Sequence, residues 1–200
     1  TSTVPLPFHL GRKPYEQIAF QFSHHIYYED GRIEHANEYI NTNPGEFPNF
    51  KFIEHLEKAL SNDYGTIFRY STHENTILNS IRDQLKSSQY QKKESLIAFI
   101  ESICHSKSEH PDPWLQPKRD MVDLCDMVKK YYYNPHTKGS NSIKKVLPAV
   151  LKSSTIVKEK YGQPIGEIAV SSQNFDTTHI WLKKEDGEII SPYKMLPEVF

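Results

Sequence analysis

Long apolar runs are missing from this sequence. No stretch approaches the roughly 18 apolar residues that a membrane-spanning helix needs, so no helical span is expected. Cysteine is scarce. Cys104 and Cys125 lack the paired spacing of a disulfide framework, so reduced thiols and a cytoplasmic setting are expected. No charged-then-apolar leader opens the chain. A net charge of −1 excludes a polycation that binds polyanions through bulk charge. Internal repeats and low-complexity tracts are also missing. The first residue is Thr1 rather than Met, so a fragment or a processed chain is expected.

What is present suits one soluble globular domain. Two hundred residues can bury a real core. Residues 17 to 28, QIAFQFSHHIYY, alternate with period two and read as a strand. Ile18, Phe20, Phe22, Ile26 and Tyr28 share one face. Asp30-Gly31 supplies a hairpin turn, and a second strand returns over about Ile33 to Ile40. Phe50, Ile53, Leu56 and Leu60 mark the apolar face of a helix. A strand over Thr66–Tyr70 follows, then a helix whose face is Ile77, Leu78, Ile81 and Leu85. Another helix carries Leu96, Ile97, Phe99, Ile100 and Ile103. Met121–Leu124 reads as a short buried strand running into a helix through Tyr131. Ile143, Val146, Leu147 and Val150 form a helical stripe that Pro148 should bend or end. A last hairpin is expected around Asp186-Gly187. Strands and helices alternate after an opening antiparallel hairpin, so the class is α/β with a mixed sheet.

Several residues invite chemistry. Glu74 stands just past the end of the strand, in RYSTHENTIL, at the mouth of a helix. Two readings are open. Ser71 or Thr72 with Glu74 can form a capping box. Alternatively, Glu74 can hold a divalent ion, which needs several hard oxygen ligands. His24 and His25 are adjacent in a strand and face opposite ways, so they cannot chelate together; His24 falls on the apolar face and reads as a buried, hydrogen-bonded histidine. Cys104, His105, His110 and Asp112 match no standard zinc spacing. Cys125 reads as core.

Charge is unevenly spread. From Met127 to Lys160 there are eight lysines (129, 130, 138, 144, 145, 152, 158 and 160) against Glu159 alone, 8 − 1 = +7. Such a segment is either a polyanion-binding face or a solvated lysine-rich surface. Within it, KGSNSIKK places Ser140 or Asn141 at a helix start with Lys144 and Lys145 in the first turn. Lysines there oppose the helix dipole unless an anion compensates, so a bound phosphate and a plain solvated helix start both stay open. The Gly-Lys-Ser/Thr ending of a Walker loop is absent.

The blocks KPYEQIAFQFSHHIYYEDG (13–31), YSTHENTIL (70–78), DMVDL (120–124), YYNPHTKGSNSIKKVLPAVL (132–151) and SPYKMLPEVF (191–200) occur in that order. Together they resemble the bacterial domain of unknown function 2779. That resemblance implies a ribonuclease H-like fold related to exonucleases with four metal-binding acids. It implies that residues 1–200 are one such domain lacking the first strand and the final helix. The first two acids would form an Asp-x-Glu pair upstream of Thr1, and the fourth would follow Phe200. Glu74 is then the third acid, catalytic and metal-binding, with His73 in place of the usual aromatic residue and in reach of substrate. Asp123 matches an Asp-Leu with a supporting or structural role. The implied cofactor is Mg²⁺ or Mn²⁺, held only if the other acids are present. The implied partners are DNA or RNA, contacted by Ser140, Asn141, Lys144 and Lys145, and a second nuclease-like domain in the parent protein. A metal-dependent nuclease is the leading expectation. A non-catalytic nucleic-acid-binding or partner-docking module is the alternative, and a zinc-stabilised adaptor using Cys104, His105 and His110 a third.

Overall fold

The computed structural model describes every residue except 4, 7, 8, 108, 111, 112, 115, 116, 187 and 197–200. The chain divides into two compact units. One comprises Thr1–His24 and Asn37–Leu124; the other comprises His25–Ala36 and Cys125–Phe200. Strand β1 (Gln21–Tyr27) and strand β2 (Ile33–Ile40) pair as the opening hairpin, whose turn end belongs to the second unit. The turn closes where Gly31 adopts φ +87, a conformation that a side chain would strain, and its N–H donates to the Tyr28 carbonyl at 3.0 Å. β2 has the bounds its pattern predicts. β1 starts four residues later than the alternation suggests, because Ile18 meets Ser2 in an isolated antiparallel bridge instead.

The first unit is built on three helices: α1 (Asn49–Leu60), α2 (His73–Lys86) and α3 (Lys93–Ile103). Their predicted faces meet in one core. Phe50, Phe52, Ile53 and Leu60 come from α1; Ile77, Leu78, Ile81 and Leu85 from α2; Leu96, Ile97, Ile100 and Ile103 from α3. Burying a side chain of this size contributes about 1.5–3 kcal/mol. Leu56 and Phe99 lie at the edge of that core. Strand β3 (Phe68–Arg69) and strand β4 (Val122–Asp123) pair in parallel, Phe68 opposite Val122 and Arg69 opposite Asp123. Each runs directly toward a helix, β3 toward α2 and β4 into α4 (Leu124–Tyr131).

The core is pinned by one fully buried polar side chain. Asn49 accepts from the Ala19 N–H at 2.8 Å and donates to the Gln17 carbonyl at 2.9 Å and to Gln84 Oε1 at 2.6 Å. The Gln17 carbonyl also accepts from Gln84 Nε2 at 3.1 Å, so it is the Ala19 N–H that loses its acceptor when Asn49 is removed. Asn49→Ala should therefore cost about 1–3 kcal/mol, the penalty for stranding a buried N–H. A drop in the urea midpoint at unchanged slope is the expected readout; an unchanged midpoint would contradict the network.

The second unit holds most of α4, then α5 (Ile143–Ser153), α6 (Thr155–Tyr161), and a short antiparallel pair, β5 (Lys184–Glu185) with β6 (Glu188–Ile189). Cys125, Val146, Ala149, Leu151 and Ile165 are buried here. Ile33 at the hairpin's turn end bridges in parallel to Val170. Pro148 does not end α5, which continues to Ser153. Proline removes the donor for the carbonyl four residues earlier, and that residue, Lys144, is exposed, where water can take the donor's place.

The class is mixed α/β with an antiparallel opening hairpin. Among the described residues the strands sort into three separate pairs rather than a continuous mixed sheet. In the last hairpin, Asp186 takes the left-handed turn position at φ +50, while Gly187 lies outside the described residues, as do Asp112 and the end of the block at 191–200.

Candidate functional site

The turn between β3 and α2 is the most constrained piece of the first unit. Ser71 sits there at φ +74, a left-handed conformation that costs an ordinary residue about 1–2 kcal/mol. Two buried side chains hold it. Asp123, at the end of β4, accepts the Ser71 N–H on Oδ1 at 2.8 Å. Arg69, at the end of β3, donates to the Ser71 carbonyl. The same two side chains form an ion pair, Arg69 Nη1 to Asp123 Oδ2 at 2.8 Å, with side-chain exposures of 5% and 7%. Charge-assisted bonds of this kind are worth about 1.5–3 kcal/mol each, enough to offset the strain. Arg69 Nε is buried and makes no hydrogen bond. Asp123 therefore holds the backbone of this turn and pairs with Arg69. Its partner Arg69 has no local sequence signal.

Beyond Ser71, Thr72 is the N-cap of α2, and its side chain makes no capping hydrogen bond. Of the two readings left open for Glu74, the capping box is not formed. Ser71 is diverted into the left-handed turn, and Glu74 is the second helical residue, one position short of the box. Glu74 is exposed and makes no hydrogen bond or ion pair among the described residues. Its carboxylate lies in the first turn of α2, where the helix dipole favours an anion. His73 beside it is exposed and meets the Thr1 hydroxyl at 2.7 Å through Nε2. On the buried side of the same turn, Asn75 donates to the His105 carbonyl at 3.0 Å, with Asn79 doing the same at 3.1 Å.

Among the described residues no three His, Cys, Asp or Glu side chains converge as a metal site. Glu74 supplies one carboxylate and Asp123 is committed to Arg69 and Ser71. These residues alone fall short of the oxygen set that Mg²⁺ or Mn²⁺ takes. The zinc reading fares worse. Cys104 is buried, and its thiol is pushed up to about 12, chiefly by burial and then by Asp120 and Glu101. His105 pairs with Asp120 at 3.0 Å and His110 with Asp83 at 3.1 Å, so the two imidazoles serve different carboxylates.

His24 is half-buried on the Phe22 and Ile26 face of β1, and its Nδ1 is buried with no hydrogen-bond partner. The expected hydrogen bond at that nitrogen is not made. Burial lowers its pKa below the usual 6.5, partly offset by Asp63 and reinforced by Arg119. The unfolded chain therefore binds a proton at a higher pH than the folded one. Stability should fall as pH drops below about 6.5 and level off once the folded pKa is passed. Replacing His24 with Phe should flatten that part of the pH–stability curve; a curve of unchanged slope would remove His24 as its cause.

The lysine-rich segment lies in the second unit. Helix α5 starts at Ile143 with Ser142 as N-cap. Ser140 and Asn141 precede the cap, correcting their expected place at the helix start. Three cap-forming residues stand in a row, and the last one wins. Ser140 Oγ accepts the Ser142 N–H at 3.3 Å, and the Asn141 carbonyl accepts from Cys125 Sγ at 3.8 Å. Lys144 and Lys145 are exposed in the first turn, as expected. Glu74, His73 and Asp123 belong to one unit and Ser140, Asn141, Lys144 and Lys145 to the other.

The elements define a mixed α/β protein, with Glu74 in the first turn of the helix that follows one strand of a parallel pair. A family model described as Domain of unknown function (DUF2779) matches residues 1–142, and the chain belongs to that family. No curated protein and no solved structure matches it.

Proposed function

We propose that this chain forms part of a metal-dependent nuclease domain acting on DNA or RNA, of the ribonuclease H-like type related to exonucleases with four metal-binding acids. The observation that carries the reading is Glu74: an uncommitted carboxylate on a rigid turn, at the carboxyl edge of a parallel pair. Arg69 and Asp123 hold the turn, so the carboxylate is presented by fixed backbone rather than by a free loop. A divalent ion in such a domain supplies an activated water and a counter-charge for the leaving oxygen. Glu74 would be one oxygen ligand, with the other acids from outside residues 1–200. His73 would meet substrate beside it. Lys144, Lys145, Ser140 and Asn141 would contact phosphates, which positions a strand without reading its sequence.

The test is cleavage of end-labelled single-stranded DNA and RNA by the full-length protein in Mn²⁺. Cleavage that EDTA abolishes and Glu74→Gln removes is expected. Cleavage equal in the variant would sink the assignment. The second reading, a binding or docking module without catalysis, draws on Glu74 being the one uncommitted acid at the turn among the described residues, Asp123 being paired with Arg69, and on His73, which engages Thr1 where the resemblance implies an aromatic residue.

A further inference from the structure

We propose that Tyr131 and Tyr133, with the lysines that follow them, form a stacking platform for single-stranded nucleic acid. The proposal rests on the nucleic-acid part of the reading above and not on Glu74. Tyr131 closes α4 and is 81% exposed; Tyr133, two residues on, is 91% exposed. Tyr132 between them is half-buried with its hydroxyl inside, so the segment is anchored by its middle ring while the flanking rings stand in water. The segment is also fixed in place. Asn134 bonds the Ser153 hydroxyl at the end of α5 at 3.0 Å and accepts from the His136 N–H at 2.9 Å. Pro135–Thr137 then forms one 3-10 turn, and Lys138 and Gly139 follow in left-handed conformations at φ +53 and +76.

The backbone thus leaves the end of α5 at Asn134 and returns to its start at Ser142, a span of roughly 15 Å for an 11-residue helix. Just before that path stand the exposed rings of Tyr131 and Tyr133; Lys138 lies on it, and Lys144 and Lys145 follow in the first turn of α5, all exposed. Lys130 is exposed beside Tyr131. No acid occurs between Met127 and Lys158 to compensate this charge within the segment. Aromatic faces alone would suit many partners. A pair of exposed aromatic faces flanked by cations, Lys130 before and Lys138, Lys144 and Lys145 after, suits unpaired bases joined by phosphates. A duplex, whose bases already stack on one another, would engage only the lysines.

Binding should be measured by fluorescence anisotropy of labelled dT12, and of a labelled duplex of the same length, with the full-length protein in EDTA. No cleavage or metal is then involved. The platform predicts that dT12 binds more tightly than the duplex. It predicts that Tyr131→Ala with Tyr133→Ala weakens dT12 binding by about tenfold or more. The same pair changed to Phe should keep the affinity. The Ala pair should leave the salt dependence as it was, whereas Lys144→Ala with Lys145→Ala should reduce it. The proposal is overturned if the Ala pair binds dT12 within twofold of the parent, if duplex and single strand bind alike, or if phosphatidylserine vesicles bind and dT12 does not. Loss of cleavage with Tyr-dependent binding intact would count against the nuclease reading alone.

Discussion

Asp123→Ala should lower the stability of the folded protein by about 3–5 kcal/mol, because it strands the buried Arg69 guanidinium without its counter-charge. It also removes the acceptor of the Ser71 N–H. The expected result in urea is a large fall in midpoint at nearly constant slope. Two companions separate charge from strain. Replacing both partners, Arg69→Met with Asp123→Leu, should cost much less than Asp123→Ala alone, since a well-packed apolar pair avoids the desolvation of two charges. Ser71→Gly should be neutral or slightly stabilising, since glycine adopts φ +74 without the penalty that serine carries. If Asp123→Ala costs no more than about 0.5 kcal/mol, the ion pair is not what holds the turn.

How much of this was readable beforehand depends on whether the determinant was local. The hairpin turn at Asp30-Gly31 and the bounds of β2 follow from neighbouring residues, and both stand where the alternation puts them. The faces of α1, α2 and α3 follow from a 3.6-residue period, and their residues make the core. The β3–α2 turn depends instead on a residue 54 positions away. Nothing near Arg69 says that it is buried, because its counter-charge arrives on a parallel strand after two intervening helices. For the same reason Ser71 looked like a helix cap. Ser, Thr and Asn favour N-caps by local bonding, but Asp123 pulls the Ser71 backbone into another conformation and shifts the cap to Thr72. The start of α5 shows the limit of local propensity. Ser140, Asn141 and Ser142 are all cap-forming residue types, so local propensity does not choose among them, and the structure puts Ser142 in the cap position.

Glu74→Gln should separate a site residue from a structural one more sharply than any other substitution in the first unit. Glutamine keeps the size and polarity of the side chain and removes only the charge. No capping bond exists to lose, so stability should change by no more than the helix-dipole contribution, about 0.3–1 kcal/mol. Cleavage of labelled single strands by the full-length protein in Mn²⁺ should fall by at least about 100-fold, since loss of a ligand should exceed the 10–100-fold typical of a group that merely orients one. The contrast with Asp123→Ala is the informative part. That variant should lose stability first, and activity only because the turn presenting Glu74 is no longer held. Asp123→Asn should test this further: the amide oxygen can still accept the Ser71 N–H, so part of the cleavage should survive although the ion pair is gone. Two results would defeat the assignment. One is a Glu74→Gln variant that cuts like the parent. The other is a full-length protein that binds single strands but never cuts them in Mn²⁺, which would make the turn a rigid support and leave binding as the domain's task.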